Sequence, residues 1–364
     1  MNARTGPARF EKILPTAQAD AEELGWLQIV GRLQAPALLY RARYDEYRDV
    51  LVYEDVFASG RCRMLLGDLI TLADHGRAPA SAAGALVDAV CDDLVAQATA
   101  TGRLVTLSTC VPALYLTRIR PGGRLDTWYN NELTVTDSAT HEQAPLATLA
   151  GFTVTINDAP SLPLDVPEVI NAARTALDPH SRWFTAITQG DPTEPNIALS
   201  AVGACWLDFE HAGRSTLAGE IANLLWYLLA LGNWLVPVYQ SDVYVRTLRH
   251  PLTPLAVPTT KHAELSLRHR RLNLHHTWPA GPGRRAALDR LLARISTDLG
   301  AVARLPADRP LHALTPFLTL RILGVIPPHL LKPDDLLLLL AKLAQAQHLD
   351  TAPLFAQTDP LESP

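Results

Sequence analysis

The stretch from Ile187 to Glu210, ITQGDPTEPNIALSAVGACWLDFE, decides the fold of this chain. It holds two polar clusters, QGDPTEPN and DFE, on either side of an apolar run. Pro192 and Pro195 exclude a regular helix in the first cluster, because proline lacks the backbone donor that a helix needs. The polar side chains of this cluster are therefore predicted to lie on a rigid loop.

The apolar run predicts a hairpin of two short buried strands, at 197–199 and 204–207. A hairpin of this length carries Asp208 back to the loop that holds Asp191 and Asn196. The sequence therefore predicts that a carboxylate, an amide and a second carboxylate converge at the two ends of one hairpin.

This set of groups suits phosphoryl transfer. One Asp orients the attacking hydroxyl and accepts its proton, while an Asn and a second Asp hold the Mg²⁺ ion that neutralises the phosphates. Magnesium takes hard oxygen ligands and only a few from the protein, because phosphates and water supply the rest.

The two clusters resemble the motifs of the aminoglycoside and choline kinase-like phosphotransferases, which share the protein-kinase fold. In that family a loop of the form H-G-D-x-x-x-x-N is followed by a hairpin and D-F-[GE]; here the two motifs are QGDPTEPN and DFE. The resemblance implies that Asp191 is the catalytic base and that Asn196 and Asp208 are magnesium ligands. Gln189 replaces the family's His, and its amide can also donate and accept hydrogen bonds. A plainer interpretation stays open, since Asp-Pro and Glu-Pro pairs are common in turns and a buried Asp can cap a helix.

The resemblance also implies an α+β fold of the bilobal, protein-kinase-like kind. Residues 1–58 would form a reduced β small lobe with a hinge near 53–60. Residues 59–364 would form a mainly helical large lobe, with the catalytic loop at 187–210 and a β-rich insertion at about 103–165.

In the small lobe, a strand over 8–14 carries Lys12 and a helix over 17–33 carries Glu22 and Glu23. In kinases such a Lys holds the α- and β-phosphates and pairs with a Glu of the helix. We assign the first role to Lys12 and favour Glu22 for the second, although exposed Lys and Glu are abundant and such a pair alone means little.

Two further strands, at 36–44 and 50–56, complete the predicted small lobe. The second ends in Glu54-Asp55-Val56, which resembles the hinge of the family, where backbone groups bind adenine; an ordinary edge strand is the alternative. Only eleven residues precede Lys12, too few for another hairpin and a Gly-rich phosphate loop. A mis-assigned start, a naturally reduced lobe and impaired nucleotide binding are all open explanations.

Apolar periodicity predicts the elements of the large lobe. The predicted helices are 61–74, 80–101, 167–177, 286–299 and 334–347, and the predicted strands of the insertion, which we place beside the active site, are 104–107, 113–117, 132–135 and 152–156. The chain beyond Ser241 is predicted to be mainly helical, and its basic stretch 246–271 to be a solvated helix face rather than an anion site. His275 and His276 would point to different sides of a helix, which argues against a metal site there.

The composition is that of a globular protein, with 364 residues, 48% hydrophobic and 19% charged. A net charge of −5 gives no reason to expect nucleic-acid binding. The stretch 221–241 has no charged residue but holds polar residues and a proline, so we predict a buried helix rather than a membrane span. The four cysteines show no metal-binding spacing, and the N-terminus has no apolar leader, so we expect a cytoplasmic protein with reduced thiols.

The sequence therefore predicts an ATP- and Mg²⁺-dependent phosphotransferase that acts on a hydroxyl of a small molecule, such as an aminoglycoside, an amino alcohol or a sugar. The protein-kinase motifs H-R-D and A-P-E are absent, which favours a small acceptor over a protein. Its partners would be a nucleotide and that acceptor, with no nucleic acid and no membrane, and the oligomeric state is left open. The alternative is a catalytically impaired binding or regulatory protein with the kinase fold.

Overall fold

A computed structural model describes residues 8–111, 115–130, 132–229, 239, 259–277 and 280–349 of the chain. These residues form a mixed α+β structure, as predicted. The described helices are α1 (Thr16–Ile29), α2 (Leu66–Asp74), α3 (Ala80–Thr101), α4 (Leu116–Ile119), α5 (Arg124–Trp128), α6 (Val166–Ala176), α7 (Leu217–Leu228), α8 (Pro282–Ile295), α9 (Asp298–Val302), α10 (Thr315–Leu323) and α11 (Pro333–Gln347).

The strands form several small sheets rather than one large one. In chain order they are β1 (Arg9–Pro15), β2 (Leu38–Arg43), β3 (Arg48–Glu54), β4 (Cys62–Leu65), β5 (Arg103–Thr106), β6 (Thr134–Thr136), β7 (Gln143–Pro145), β8 (Phe152–Ile156), β9 (Leu162–Leu164), β10 (Arg182–Thr188), β11 (Ile197–Ser200), β12 (Gly203–Trp206), β13 (Gly213–Thr216), β14 (Thr259–Ser266) and β15 (Arg271–Thr277).

The first sheet has the order β1-β3-β2 and packs against α1. Its strands and helix confirm the elements predicted for residues 8–56, with ends that differ by a few residues. Lys12 lies opposite Leu51 in the antiparallel pairing of β1 and β3. Because β3 is the central strand, the alternative of an ordinary edge strand before the predicted hinge is wrong. The lobe boundary at residue 58 stays a prediction.

The helix predicted over 61–74 is wrong in its first part. Residues Cys62–Leu65 form β4, and helix α2 starts only at Leu66. In β4 the side chains of Cys62 and Leu65 are buried and that of Arg63 is exposed. Backbone pairing with β11 therefore overrides the helical pattern at this point, with Leu65 opposite Ala198.

The strands in the predicted insertion at 103–165 join three different sheets, and its bounds stay a prediction. Strand β5 pairs with β10, β6 pairs with β7, and β8 pairs with β9 and β15. The strand predicted at 113–117 is wrong for its described part: Tyr115 lies in a turn, and α4 begins at Leu116, while residues 113–114 lie outside the described residues.

The prediction of a mainly helical chain beyond Ser241 is also corrected. Residues 259–277 form the hairpin β14–β15, and residues 240–258, with the first part of the basic stretch, lie outside the described residues. In β15 the side chains of Leu272, Leu274 and His276 are buried. This period of two is typical of a strand with one face on the core. His275 and His276 therefore point to opposite faces of a strand, not of a helix.

The core runs through the helices around α7. The side chains of α7 are buried along almost the whole helix, which confirms the prediction of a buried helix for residues 221–228. Residues 230–238, 240 and 241 lie outside the described residues. Over the part of the chain that the structure describes, no helix combines the length and the apolar character needed to cross a membrane.

Candidate active site

The loop after β10 is held in an unusual backbone shape. Gly190 has a φ of 91°, and a Cβ there would lie 1.9 Å from the carbonyl oxygen of His211. Only glycine fits this conformation and this close approach. The prolines that follow prevent a regular helix, as predicted, and the loop ends in a single 3-10 turn, Glu194–Asn196.

A buried ion pair fixes the middle of this loop. Arg284 of α8 donates from Nη1 and Nη2 to the two carboxylate oxygens of Glu194, at 2.7 and 3.3 Å. Both side chains are almost fully buried. A two-pronged pair of this kind fixes orientation as well as distance, so the loop enters β11 with Asn196 in a defined place.

The predicted hairpin is confirmed and returns the chain to the loop. Strands β11 and β12 pair with Ile197 opposite Trp206, and Leu207 N then donates to Asn196 O at 2.9 Å. Asp208 follows with a φ of 60°, in the left-handed region that residues with a side chain seldom adopt. The carboxylate is thereby turned toward the cleft.

Gln189 joins the two polar clusters. Its Nε2 donates to Leu207 O at 2.9 Å and to Asp208 O, while its Oε1 accepts from Asp191 N at 2.8 Å. Gln189 is fully buried. One amide thus bonds both loops, which is the supporting contact that we expect where the family has His.

Lys12 bridges two carboxylates. Its Nζ lies 2.8 Å from Glu22 Oε2 and 2.6 Å from Asp208 Oδ1. Burial opposes the charge of the ammonium group, but the attraction of Asp208 and Glu22 outweighs it, so the pKa of Lys12 is raised. The side chain therefore stays charged beside the loop of Asp208.

Glu22, and not Glu23, is the partner of Lys12. Glu22 also accepts from the backbone N of Phe209 at 3.0 Å and from the hydroxyl of Tyr53 at 3.2 Å. Burial raises its pKa to about 7, although the charge of Lys12 opposes this. Glu23 instead contacts Arg41. Helix α1 is thus bonded to the Asp208–Phe209 segment through one buried carboxylate.

Asp191 is held from two sides. Its Oδ1 accepts from Arg321 Nη2 at 2.5 Å and from Asn223 Nδ2 at 2.6 Å, and its Oδ2 accepts from Asn196 Nδ2 at 3.3 Å. Burial alone would raise the pKa of Asp191. The positive charge of Arg321, with the hydrogen bonds from Arg321 and Asn223, outweighs burial and holds that pKa below its ordinary value.

Three of the groups around Asp191 were not predicted from the sequence. Arg321 and Asn223 contact it directly, and Glu220 of α7 accepts from Gly190 N at 3.2 Å. Each of the three is a buried polar residue inside an apolar helical pattern, in FLTLRILGV or GEIANLLWY. A lone charge or amide in such a pattern is the signal that could have found them, because buried polar groups need partners.

A cleft of about 360 Å³ lies between the first sheet and the two polar loops. It brings together six of the seven predicted site residues: Lys12, Glu22, Glu54, Val56, Asn196 and Asp208. Asp191 does not line this cleft and reaches it through Asn196. The Glu54 side chain pairs with Arg61 at 2.6 Å, and Val56 O accepts from Cys62 N.

The cleft fits the magnesium ion that the motifs imply. The Nδ2 of Asn196 donates hydrogen bonds to Asp191, and the Oδ1 of Asn196 accepts no hydrogen bond from the described residues. Asp208 has a half-exposed carboxylate in the same cleft. No group of three His, Cys, Asp or Glu side chains within the described ranges could hold a metal ion. Asn196 and Asp208 would therefore supply two oxygens, with the rest coming from phosphate and water.

Substitution of Glu220 should flatten the pH dependence of stability. Burial raises the pKa of Glu220 to about 8, against about 4.5 in the unfolded chain. Between these values the folded protein keeps the proton and the unfolded chain releases it, so the free energy of unfolding of the parent falls as pH rises. Glu220→Gln carries no titrating proton. Its free energy of unfolding, measured with urea, should therefore fall with a smaller slope between about pH 5 and about pH 8.

The exposed Glu46 offers a matched control, since Glu46→Gln should keep the parent slope. Equal slopes for Glu220→Gln and the parent would contradict the raised pKa.

The fold and this cleft define a mixed α+β protein with a Lys–Glu–Asp cluster beside an Asp–Asn loop. No protein-family model matches the chain, and no curated protein matches it. Similar solved structures belong to the aminoglycoside phosphotransferase and protein-kinase-like family that the motifs resemble.

Three of these structures illustrate the similarity. Amicoumacin kinase hAmiN, in complex with AMP-PNP, Ca²⁺ and Ami, is 14% identical with a TM-score of 0.47, over 96% of this chain and 84% of that one. Aminoglycoside phosphotransferase APH(3'')-Id from Streptomyces rimosus, with ADP and streptomycin, is 16% identical with a TM-score of 0.35, over 78% and 86%. A glucosamine kinase, with glucosamine, ADP and inorganic phosphate, is 14% identical with a TM-score of 0.36, over 93% and 68%.

Proposed function

We propose that the protein is an ATP- and Mg²⁺-dependent phosphotransferase that acts on a hydroxyl of a small molecule. The observation that carries this proposal is the bridge from Lys12 to Glu22 and Asp208, in the cleft that Asn196 also lines. A charged Lys between two carboxylates is suited to hold phosphates, and the oxygens of Asn196 and Asp208 are suited to a hard cation. The proposed bilobal arrangement puts the nucleotide in this cleft, with adenine near the backbone of Glu54–Val56.

In the proposed reaction, Asp191 orients the acceptor hydroxyl and takes its proton as the new bond from oxygen to the γ-phosphorus forms. The bond from that phosphorus to the bridging oxygen breaks, and ADP leaves with the electron pair. Magnesium, when bound to Asn196 and Asp208, neutralises the phosphate charges. Gln189 keeps the two loops in register.

Mg-ATP should stabilise the protein against heat. A nucleotide at about one hundred times its dissociation constant adds about 2.7 kcal/mol to the free energy of unfolding. Lys12→Met should lose most of this shift, because the phosphates lose their cation. Lys332→Met removes an exposed Lys outside the cleft and should keep the shift. A parent protein that shows no thermal shift at millimolar Mg-ATP would refute nucleotide binding.

A second candidate is a kinase-fold protein that binds ligands without catalysis. One observation favours it: Arg321 and Asn223 both occupy Oδ1 of Asp191, and the lowered pKa makes this carboxylate a weaker base. Turnover separates the two candidates. ATP consumption with a panel of aminoglycosides, amino alcohols, sugars and their acidic derivatives supports the first, and Mg-ATP binding without turnover on any of them supports the second.

A further inference from the structure

Three arginines meet at the end of helix α10, next to Asp191. Arg321 lies in the last turn of α10 and bonds Asp191. Arg124 donates to Gly324 O at 2.7 Å, just after the helix. Arg118 of α4 packs against the same glycine, where an added Cβ would lie 3.0 Å from the Arg118 Cδ.

The arginine cluster, Arg118, Arg124 and Arg321, lies directly beside the catalytic loop. Tyr115, just before α4, and Leu116, its first residue, line one small cavity together with Gly190. Arg118 is also close enough to Asp191 and Arg321 for their charges to act on its pKa, which burial lowers to about 9.

The positive charge of this cluster is not balanced. Arg118 is 7% exposed and Arg321 is 3% exposed, so both are almost fully buried. Among the described residues, only Asp191 has a carboxylate that accepts a hydrogen bond from either of them. Arg118 Nη1 and Arg321 Nε are buried with no hydrogen-bond partner in the described structure. Glu220 adds little negative charge near neutral pH, since burial raises its pKa to about 8.

An unpaired buried guanidinium lowers the stability of the fold, because it has lost its hydrogen bonds to water and gained none from the protein. An anion at this point would supply the missing charge and acceptors, and the planar fork of Arg suits a carboxylate or phosphate. A cationic ligand would meet like charge at the same place.

We propose that the acceptor is an anionic hydroxylated molecule, such as a hydroxy acid or a sugar acid, and that Arg118 binds its carboxylate or phosphate group. This inference depends on the proposed phosphotransferase function. The proposed acceptor is an anion, whereas the aminoglycosides and amino alcohols predicted from the sequence carry positive charge.

The position of the cluster relative to Asp191 supports the acceptor over the nucleotide. Arg321 and Asn223 hold Oδ1 of Asp191, while Asn196, which lines the nucleotide cleft, faces Oδ2. None of the three arginines lines that cleft. Arg118 is therefore placed apart from the proposed nucleotide site, as a group that binds the acceptor should be.

The test compares probes that differ in charge. Thermal shifts are measured with gluconate and glycerate, with their neutral analogues glucitol and glycerol, and with the cations glucosamine and ethanolamine, each with and without Mg-AMP-PNP. We expect the two acids to stabilise the parent and the other four probes not to. Arg118→Gln should bind the acids about ten to one hundred times more weakly, the range for a charge-assisted hydrogen bond. Its Mg-AMP-PNP shift should equal that of the parent.

The control is Arg309→Gln, which removes an exposed Arg away from the cluster and should leave acid binding unchanged. If Arg118→Gln does not fold, Arg118→Lys keeps the charge but loses the planar fork, and should weaken acid binding several-fold. The proposal is overturned if neither acid binds, if neutral or cationic probes bind as well, or if the Arg118 variant binds the acids like the parent. If Mg-AMP-PNP causes no thermal shift of the parent, the proposed function is overturned instead. The acid measurements without nucleotide would still decide whether Arg118 binds an anion.

Discussion

Asp191→Asn should lower turnover by about 10²- to 10⁴-fold, the usual contribution of a positioned general base, while Mg-ATP still binds. The reason lies in the site: Asp191 does not line the proposed nucleotide cleft, and among the described residues it contacts the lining of that cleft through Asn196. The measurement is ATP consumption with an acceptor that the parent phosphorylates, together with the Mg-ATP thermal shift.

A control is needed because Asp191 also neutralises buried Arg321. Loss of one partner from a buried pair costs about 3–5 kcal/mol, so Asp191→Asn should be less stable than the parent. The double variant Asp191→Asn/Arg321→Met removes both charges and should recover much of that stability without recovering turnover. If turnover returns with stability, or if Asp191→Asn turns over like the parent, Asp191 is not the base.

Asp208→Asn should abolish the magnesium-dependent part of nucleotide binding and lower turnover by about 10²- to 10³-fold, as when one electrostatic partner of a transition state is lost. Asn keeps the size of the side chain and also tolerates the left-handed backbone found at this position, whose φ is 60°. The fold should therefore survive, since Asp208 is half-exposed and Lys12 keeps its bond to Glu22.

The magnesium dependence is measured as the difference between the ATP thermal shifts with Mg²⁺ and with a chelator. This difference should vanish in Asp208→Asn and persist in Asp191→Asn. The exposed Asp308 gives a neutral control through Asp308→Asn, which should behave as the parent. An Asp208→Asn protein with an undiminished difference would rule out Asp208 as a ligand.

The parts of the site that could be predicted from the sequence are those with a fixed local spacing. Asp191, Asn196 and Asp208 lie on one loop and one hairpin, and prolines and strand patterns determine how these fold. Lys12 and Glu22 could be predicted because a strand followed at once by a helix packs the two elements together. Their roles in binding phosphate and metal remain predictions that the substitutions above test.

The parts that could not be predicted depend on contacts between distant segments. Arg321 follows Asp191 by 130 residues, and no local pattern connects them. The hairpin β14–β15 carries basic residues that suggested a helix, but its pairing with β8, more than a hundred residues earlier, decides its structure. Tertiary pairing of this kind overrides local propensity. The arginine cluster has the same origin, since α4, α5 and α10 meet only in the folded chain.

The contact between Arg321 and Asp191 has a consequence for the order in which the protein matures on the ribosome. Synthesis proceeds from the N-terminus at about 5–20 residues per second. The growing chain holds Lys12, Glu22, Asp191 and Asp208 for several seconds before Arg321 leaves the exit tunnel. During that interval the carboxylate of Asp191 lacks its guanidinium partner. All residues that line the cleft are thus synthesised before Arg321, and Asp191 receives its arginine partner last.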